Sequence, residues 1–328
     1  MIRYTLRQLE YFVAVGGAGS IAVAASKVNV TSPSISAAIS HLETEFGMPL
    51  FVRQHAQGLS LTQSGRTLYE QAMVVLREAG MLVELAGNIS GEVRGPLSLG
   101  CMVSFAQVVL PTLRKAFVEC YPDVRVSQVE SDATEIVGAL RRAEIDVALT
   151  YDLLVPSDLK FLPLLDLPPF VLISSGHPLA AYKEITVEEL RHEPMVLLDL
   201  PQSADYFLSF FTDKGIKPHV AERSRDLAVV RSLVANGFGY SVANMRPLNG
   251  MSPDGKPLTF IPLAGQPRPM RMGLLMTQQA DAAHVVRSFV DFAQNWVHDG
   301  LVPQSVGGPT ARTATMPVAT PSSRQARQ

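Results

Sequence analysis

Two cysteines in 328 residues, Cys101 and Cys120, are too few for the disulfide framework of a secreted domain. They are not spaced as zinc ligands either. Long apolar runs are missing: none approaches the roughly eighteen uncharged residues of a membrane span. The first ten residues, MIRYTLRQLE, are charged and amphipathic, unlike a signal peptide. A large excess of one charge is absent, the net being −2, so overall charge carries no nucleic-acid footprint. There is no phosphate loop, no HExxH and no nucleophile elbow. These absences predict a cytoplasmic chain without membrane contact, metal or cofactor. What is present is apolar bulk. Hydrophobic residues make up 47% and charged ones 18%, enough for two or three buried cores at this length.

The most informative stretch runs from Ser20 to Glu43, SIAVAASKVNVTSPSISAAISHLE. Ser20 is suited to cap a short helix with Ile21, Ala24, Ala25 and Val28 on one side. Asn29, Val30 and Thr31 form a tight connection. Ser32 then caps a second helix with Pro33 at its first position, where a missing N–H costs nothing. Ile35, Ile39 and Leu42 make its buried stripe. The opposite face offers Ser34, Ser36, Ala37, Ser40 and His41, small or polar throughout. An ordinary helical hairpin fits this segment equally well. The next residues favour a helix-turn-helix, whose second helix enters a major groove. Phe46 and Gly47 stop the helix. Met48 to Arg53 reads as a strand, Gln54 to Gly58 as a loop tip, and Leu59 to Thr62 as the returning strand of a β-wing. Upstream, Arg3 to Val15 is an amphipathic first helix burying Leu6, Leu9, Phe12 and Val13, interrupted by Gly16, Gly17 and Gly19.

Leu6 to Gly65 resembles the N-terminal domain of the LysR-type transcriptional regulators. The resemblance is carried by Leu6-Arg-Gln-Leu-Glu-Tyr-Phe12, Ala24-Ala25, Pro33-Ser-Ile-Ser36, Leu42-Glu43, Gly47-Met-Pro-Leu-Phe-Val-Arg53 and Leu61-Thr-Gln-Ser-Gly65. It implies double-stranded DNA as a partner. Ser20, Thr31, Ser32, Pro33, Ser34, Ser36, Ala37, Ser40, Arg53 and Thr62 are the candidate contacts, Arg53 from the wing to phosphate or the minor groove. The chain departs from the family where many members carry glutamine in place of Ser32 and Arg or Lys in place of Ala37 and Ser40. Base discrimination is then expected to lean on DNA shape and on methyl contacts from Ala37. Over residues 1–66, Arg3, Arg7, Lys27, Arg53 and Arg66 face Glu10, Glu43 and Glu45, a net of +2. So modest a surplus calls for helix N-termini, hydroxyls and a second copy of the domain.

From Gln63 the pattern becomes one long helix. Leu68, Ala72, Val75, Ala79, Leu82 and Ala86 alternate spacings of four and three, a heptad seam. Packing on its own domain explains part of that seam, and a second subunit the remainder, giving a homodimer or homotetramer. Gly87 to Pro96 reads as a hinge. Beyond it, strand, helix and strand alternate (Leu97–Cys101, Phe105–Glu119, Val124–Glu130, Thr134–Ala143, Asp146–Tyr151), predicting parallel pairing with right-handed crossovers. Leu162–Leu167 and Phe170–Ser174 look like a crossing between subdomains. A short helix at Ile185–Leu190, a strand at Met195–Leu198, and helices at Ser203–Lys214 and Leu227–Asn236 follow. Strands at Tyr240–Ala243, Leu258–Ile261 and Met270–Met276 precede a closing helix, Ala280–His298. Residues 97–298 resemble the effector domain of the same regulators, a two-lobed fold like that of periplasmic binding proteins.

The expected fold is therefore a multidomain α/β protein: winged helix-turn-helix (1–65), coiled-coil linker helix (66–90) and a type 2 periplasmic-binding-protein-like effector domain (91–298). Its first lobe takes about 91–164 and 269–298, its second about 165–268. Residues 299–328 are rich in Pro, Ser, Thr, Gln and Arg and are expected to be a disordered tail. Ligands meet strand ends and helix starts in such lobes. Met102, Ser104, Ser131, Thr134, Gln202 and Ser203 are thus candidate contacts for a small-molecule, anionic effector, though each also reads as a cap or core residue. Cys101 invites a redox pair with Cys120, or a nucleophile served by His177 or His192. No cation beside it in sequence would stabilise a thiolate, and a buried strand cysteine is the preferred reading. An enzyme would need a tuned base, and a solute-binding protein an export signal. Neither is found, so a transcription regulator without catalytic residues is the expectation.

Overall fold

The computed structural model describes residues 2–54, 58–90 and 92–300. The predicted tail from residue 301 and the tip of the wing (55–57) lie outside the described residues.

The N-terminal domain has three helices, α1 (Leu6–Ala18), α2 (Ile21–Lys27) and α3 (Ser32–Phe46), and a hairpin of β1 (Phe51–Gln54) and β2 (Gly58–Leu61). Helix α1 starts on a capping box, in which Thr5 and Gln8 exchange side-chain and backbone hydrogen bonds. It runs through Gly16 and Gly17, and only Gly19 ends it. The predicted interruption fails because a Cβ at Gly16 would stand 2.5 Å from the Tyr69 ring. Gly16 thus serves close packing and not a turn. Helix α3 begins one residue earlier than expected, with Thr31 as N-cap and Ser32 already helical. Gly47, at φ +67°, stops it as predicted. The core gathers Leu9, Phe12, Val15, Ala24, Ala25, Ile35, Ile39 and Leu42. Phe12 lies at its centre, edge-on to Phe51 of the hairpin at 5.6 Å and to Tyr69 of the next helix at 6.2 Å. Burying a side chain of that size contributes about 1.5–3 kcal/mol, so one ring holds three elements together.

Helix α4 (Gln63–Ser90) is continuous through Gly87, so the predicted hinge shrinks to the few residues before β3 (Gly95–Met102). Leu68, Ala72 and Val75 pack on the N-terminal core, whereas Leu82 is 69% exposed. The side chain of Ala86 lies outside the described ones. One half of the seam therefore belongs to the domain's own core and the other half starts free of it.

The first lobe is a five-stranded sheet in the order β4-β3-β5-β12-β6, made of β3, β4 (Val124–Ser131), β5 (Val147–Tyr151), β6 (Leu159–Leu167) and β12 (Met270–Thr277). β3 is parallel to both β4 and β5, as strand–helix–strand alternation requires. β12 is antiparallel to β5 and β6. Helices α5 (Val103–Ala106), α6 (Leu110–Cys120), α7 (Ala133–Arg141) and α10 (His284–His298) complete this lobe. The single helix expected from Phe105 breaks before Leu110 because Pro111, in the first turn, starts a new one. The closing helix likewise starts at His284, after a short 3₁₀ turn.

The second lobe pairs β10 (Ser241–Ala243), β7 (Phe170–Ser174) and β11 (Leu258–Pro262) antiparallel, and β8 (Pro194–Leu198) with β9 (His219–Ser224) parallel. A bridge between Met195 and Tyr240 joins the two groups. Helices α8 (Ser203–Thr212) and α9 (Leu227–Ala235) pack on them. The helix expected at Ile185–Leu190 is absent. Thr186 and Glu189 exchange hydrogen bonds like a capping box, but only turns follow. β9 is an element the sequence pattern did not suggest.

Two segments cross between the lobes, 168–169 after β6 and 263–269 before β12. β6 itself belongs to the first lobe's sheet up to Leu167. The second crossing is clamped by Asp152, whose side chain is 3% exposed and accepts from Arg268 at 2.9 Å and from the backbone and side chain of Arg271 at 2.8 Å each. Burial works against that carboxylate's charge, but the hydrogen bonds from Arg271 and Arg268 overcome it and hold its pKa below the ordinary value.

Candidate DNA interface and effector cleft

Two regions assemble chemistry-bearing residues. The first is the outer face of α3. Ile35, Ala38, Ile39 and Leu42 turn inward, which leaves Ser34, Ser36, Ala37 and Ser40 exposed, together with Thr31 and Pro33 before them. Thr31 makes no side-chain cap bond to the helix, and its hydroxyl instead meets Ser34 Oγ at 2.8 Å. Pro33 has no N–H, and those of Ser34 and Ile35 donate to the Thr31 carbonyl at 3.0 and 3.3 Å, so in the first turn of α3 the Ser32 N–H is the backbone donor left for an anion such as phosphate. Ser20 caps α2, its hydroxyl accepting from the Val23 N–H at 3.4 Å. The Thr62 hydroxyl is already committed, donating to the Pro49 carbonyl at 2.9 Å and accepting from the Gly65 N–H at 2.8 Å. It reads as the cap of α4. Glu43 fixes the hairpin against α3 by accepting from the Leu50 N–H at 2.8 Å. Arg53 pairs with Leu59 in the hairpin ladder, and its side chain lies outside the described ones. The hairpin's far strand is tied to the end of α1 by the Leu59 N–H, which donates to the Gly19 carbonyl at 2.8 Å.

The second region lies between the lobes. Ser104, Tyr151, Ser203 and Asn244 are the polar groups around an inner cavity of about 10 Å³, whose walls include Leu198, Leu200, Phe207 and Leu227. It shares Ser104, Leu198, Leu200 and Leu227 with an outer chamber of about 200 Å³, which adds Gln107, Arg225 and Asp226. Of the six predicted effector contacts, Ser104 and Ser203 reach this cleft. Met102, Ser131, Thr134 and Gln202 do not line it. Met102 is buried in the core, and Ser131 bonds to Glu135. Thr134 is held at the start of α7, its N–H donating to Asp132 at 3.0 Å. Gln202 stands at φ +66° as the N-cap of α8.

Tyr151 and Asn244 are the polar residues that sequence reasoning missed. Both follow from the strand-end rule, Tyr151 closing β5 and Asn244 standing directly after β10. Among the described residues no cation lines the inner cavity, and Arg225 lines the outer chamber. Burial raises the Tyr151 phenol well above its ordinary value and pushes Tyr206 up to about 12, so both stay neutral at physiological pH. At the rim, Arg225 of the second lobe meets Asp132 of the first at 2.9 Å. Asp132 uses its other oxygen to cap α7, accepting from the Thr134 and Glu135 N–H groups. One carboxylate thereby links a helix start to the opposite lobe. Asn244 Nδ2 donates to the Leu167 carbonyl at 2.6 Å, and Tyr206 donates to the Arg268 carbonyl at 2.6 Å. Asn244 thus holds the end of β6, where the first crossing begins, and Tyr206 holds the second crossing.

Cys101 is fully buried, and burial drives its thiol pKa far up, so the thiolate that redox or nucleophilic chemistry needs is disfavoured. His177 caps a 3₁₀ turn, its Nδ1 accepting from the Leu179 N–H at 3.2 Å. Among the described residues no group of three or more His, Cys, Asp or Glu could hold a metal ion. No described helix is long and apolar enough to cross a membrane.

The LysR substrate binding domain model matches residues 90–297, and the model of the bacterial regulatory helix-turn-helix proteins of the lysR family matches residues 6–66. This chain belongs to the LysR family of transcriptional regulators. The Hca operon transcriptional activator HcaR of Escherichia coli is 31% identical over 240 residues, 72% of this chain and 80% of that protein. HinK, a LysR family regulator from Pseudomonas aeruginosa, is 32% identical with a TM-score of 0.61 over 90% of this regulator and 99% of that chain. CbnR, solved full length in complex with its target DNA, shares the fold at a TM-score of 0.62 and 22% identity, over 89% of this regulator and 99% of that chain. The regulator is thus a DNA-binding transcription factor whose second part is an effector-binding domain.

Proposed function

We propose that this regulator acts in the cytoplasm as a homodimer or homotetramer, reads a pseudo-palindromic promoter site through α3, and answers a small molecule held between its lobes. The observation that carries the reading is the division of α3 into a packed apolar stripe and an exposed face of Ser34, Ser36, Ala37 and Ser40. Such a face can lie against base edges without steric conflict. Ser32, Ser36 and Ser40 supply hydroxyls, and Ala37 a methyl group for thymine. Thr31, Pro33 and Ser20 lie where the backbone of the duplex would pass, and Arg53 reaches from the wing. Thr62 contributes by fixing the wing to α4, a positioning role. The half-exposed seam of α4 would be covered by the same helix of a second subunit, which sets the separation of the two reading heads.

In the effector domain Ser104 and Ser203 face the ligand, together with Tyr151 and Asn244. The Arg225–Asp132 pair favours the closed cleft, and a ligand acts by changing the balance between closed and open forms. No catalytic step is assigned to any residue. The test is a mobility-shift titration of Arg53→Ala on cognate and random DNA. If Arg53 meets phosphate, affinity falls alike on both, and the slope against salt becomes shallower by about one ion. An unchanged slope rejects the phosphate role.

A further inference from the structure

We propose that the molecule this regulator senses is neutral and mainly apolar, and that it donates a hydrogen bond to Asn244 rather than presenting an anionic group. The inference rests on the reading of the inter-lobe cavity as the effector site and narrows its chemistry. Asn244 is 3% exposed and lines the inner cavity. Its Nδ2 donates to the Leu167 carbonyl at 2.6 Å and approaches the Tyr206 hydroxyl at 3.3 Å. A carbonyl oxygen can only accept, so the amide's orientation is fixed by that contact. Oδ1 is then an acceptor, buried and without a partner. A buried acceptor left in that state calls for a donor, and a ligand supplies one.

The other polar groups do not ask for charge. Ser104 and Tyr151 share a single hydrogen bond at 3.2 Å, which leaves one of the two hydroxyls with a hydrogen to donate, and Ser203 adds a further hydroxyl; all three groups are neutral. The remaining inner wall is largely aliphatic or aromatic. At the rim Arg225 is the sole cation of the outer chamber's described lining, and it is offset by its pairing with Asp132 and by the neighbouring Asp226. A carboxylate entering here would set an oxygen against Asn244 Oδ1 and lose its hydration without an ionic partner. A neutral body instead fills the outer chamber against Leu198, Leu200 and Leu227, and its donor reaches inward. The amide that receives the donor also grips Leu167, the last residue of β6, directly before the first crossing segment. Occupancy is thereby felt directly at the hinge.

Two size-matched pairs of probes test this on the full-length protein: benzamide against benzoate, and butyramide against butyrate. Calorimetry at neutral pH gives the affinities, and NMR of the Asn244 side-chain amide and the Leu227 backbone locates the binding. The expected result is that each amide binds in the cleft at least tenfold more tightly than its carboxylate. Asn244→Ser is expected to erase most of that preference, and if this variant does not fold, the paired comparison on the unaltered chain still decides. Tighter cleft binding by the carboxylates, abolished by Arg225→Gln, overturns the neutral assignment but leaves the cleft as the effector site. Amide binding that leaves Asn244 and Leu227 unmoved overturns both. Absence of any amide binding at millimolar concentration overturns the neutral assignment.

Discussion

Arg225→Gln should loosen the closed cleft by a small and calculable amount. The Arg225 side chain is 67% exposed and that of Asp132 only 15%, at a separation of 2.9 Å. Solvent around the guanidinium screens the pair, which places its worth within the range of exposed ion pairs, about 0.5–1 kcal/mol. Since about 1.4 kcal/mol is tenfold, the ratio of closed to open molecules should fall roughly two- to fivefold. Asp132→Asn should have the same effect, because Asn is an equally good N-cap and keeps the start of α7 intact. Asp132→Ala should cost about 1 kcal/mol more in stability by losing the cap. Spin-label distances offer the assay. Native Cys120 is exposed on the first lobe and Cys101 is buried, so labelling Cys120 together with Lys217→Cys on the second lobe reports the opening. Labelled chains diluted into unlabelled ones keep the signal within one protomer. The two single substitutions should broaden the distance distribution equally, the double substitution should add nothing further, and high salt should reduce the difference. Additive effects in the double variant, or a distribution identical to that of the unaltered chain, would refute the rim pair as a latch.

Other consequences follow from the same geometry. Leu82→Glu should weaken self-association at least tenfold in sedimentation experiments, and lower the melting temperature only so far as association supports it, since Leu82 is exposed outside the N-terminal core; unaltered association would remove the α4 seam from the interface. Asp152 has its pKa depressed by Arg271 and Arg268, so its stabilisation is full above the ordinary carboxylate value and disappears as pH falls through the lower folded value. Asp152→Asn should therefore cost about 1–3 kcal/mol at pH 7. Its denaturation midpoint should converge with that of the unaltered chain in strong acid, and a gap independent of pH would contradict the clamp.

The N-terminal domain was legible because its signals are local. Periodic apolar residues and the Phe46-Gly47 stop predict α3 and its end, and the structure shifts the start of the helix by a single residue. Gly16 misled because its role is tertiary: no local pattern tells a glycine that ends a helix from one that admits the Tyr69 ring. Ile185–Leu190 misled in the opposite sense, since the Thr186–Glu189 exchange forms locally but is not followed by a helix. In the effector domain the parallel strands followed from alternation, whereas the short, polar β9 had too little periodicity to stand out. The cleft was half legible. The strand-end rule found Ser104 and the start of α8 found Ser203; the same rule admits Tyr151 and Asn244, but that Asn244 of the second lobe meets Ser104 and Tyr151 of the first is set only by the folding of two lobes over two crossings. The pairing of Arg225 with Asp132 joins residues far apart in sequence, and nothing short of the folded chain reveals it.

If α3 reads DNA from two heads held together by α4, footprinting of the full-length protein on promoter fragments of its host will show it. The expected result is protection of two half-sites related by a dyad, with centres about 10 base pairs or a multiple of that apart. Ala37→Glu, on the exposed face of α3, should abolish that protection while leaving the melting temperature within a degree or so. Protection unchanged by Ala37→Glu, or no protected fragment at all, would contradict it.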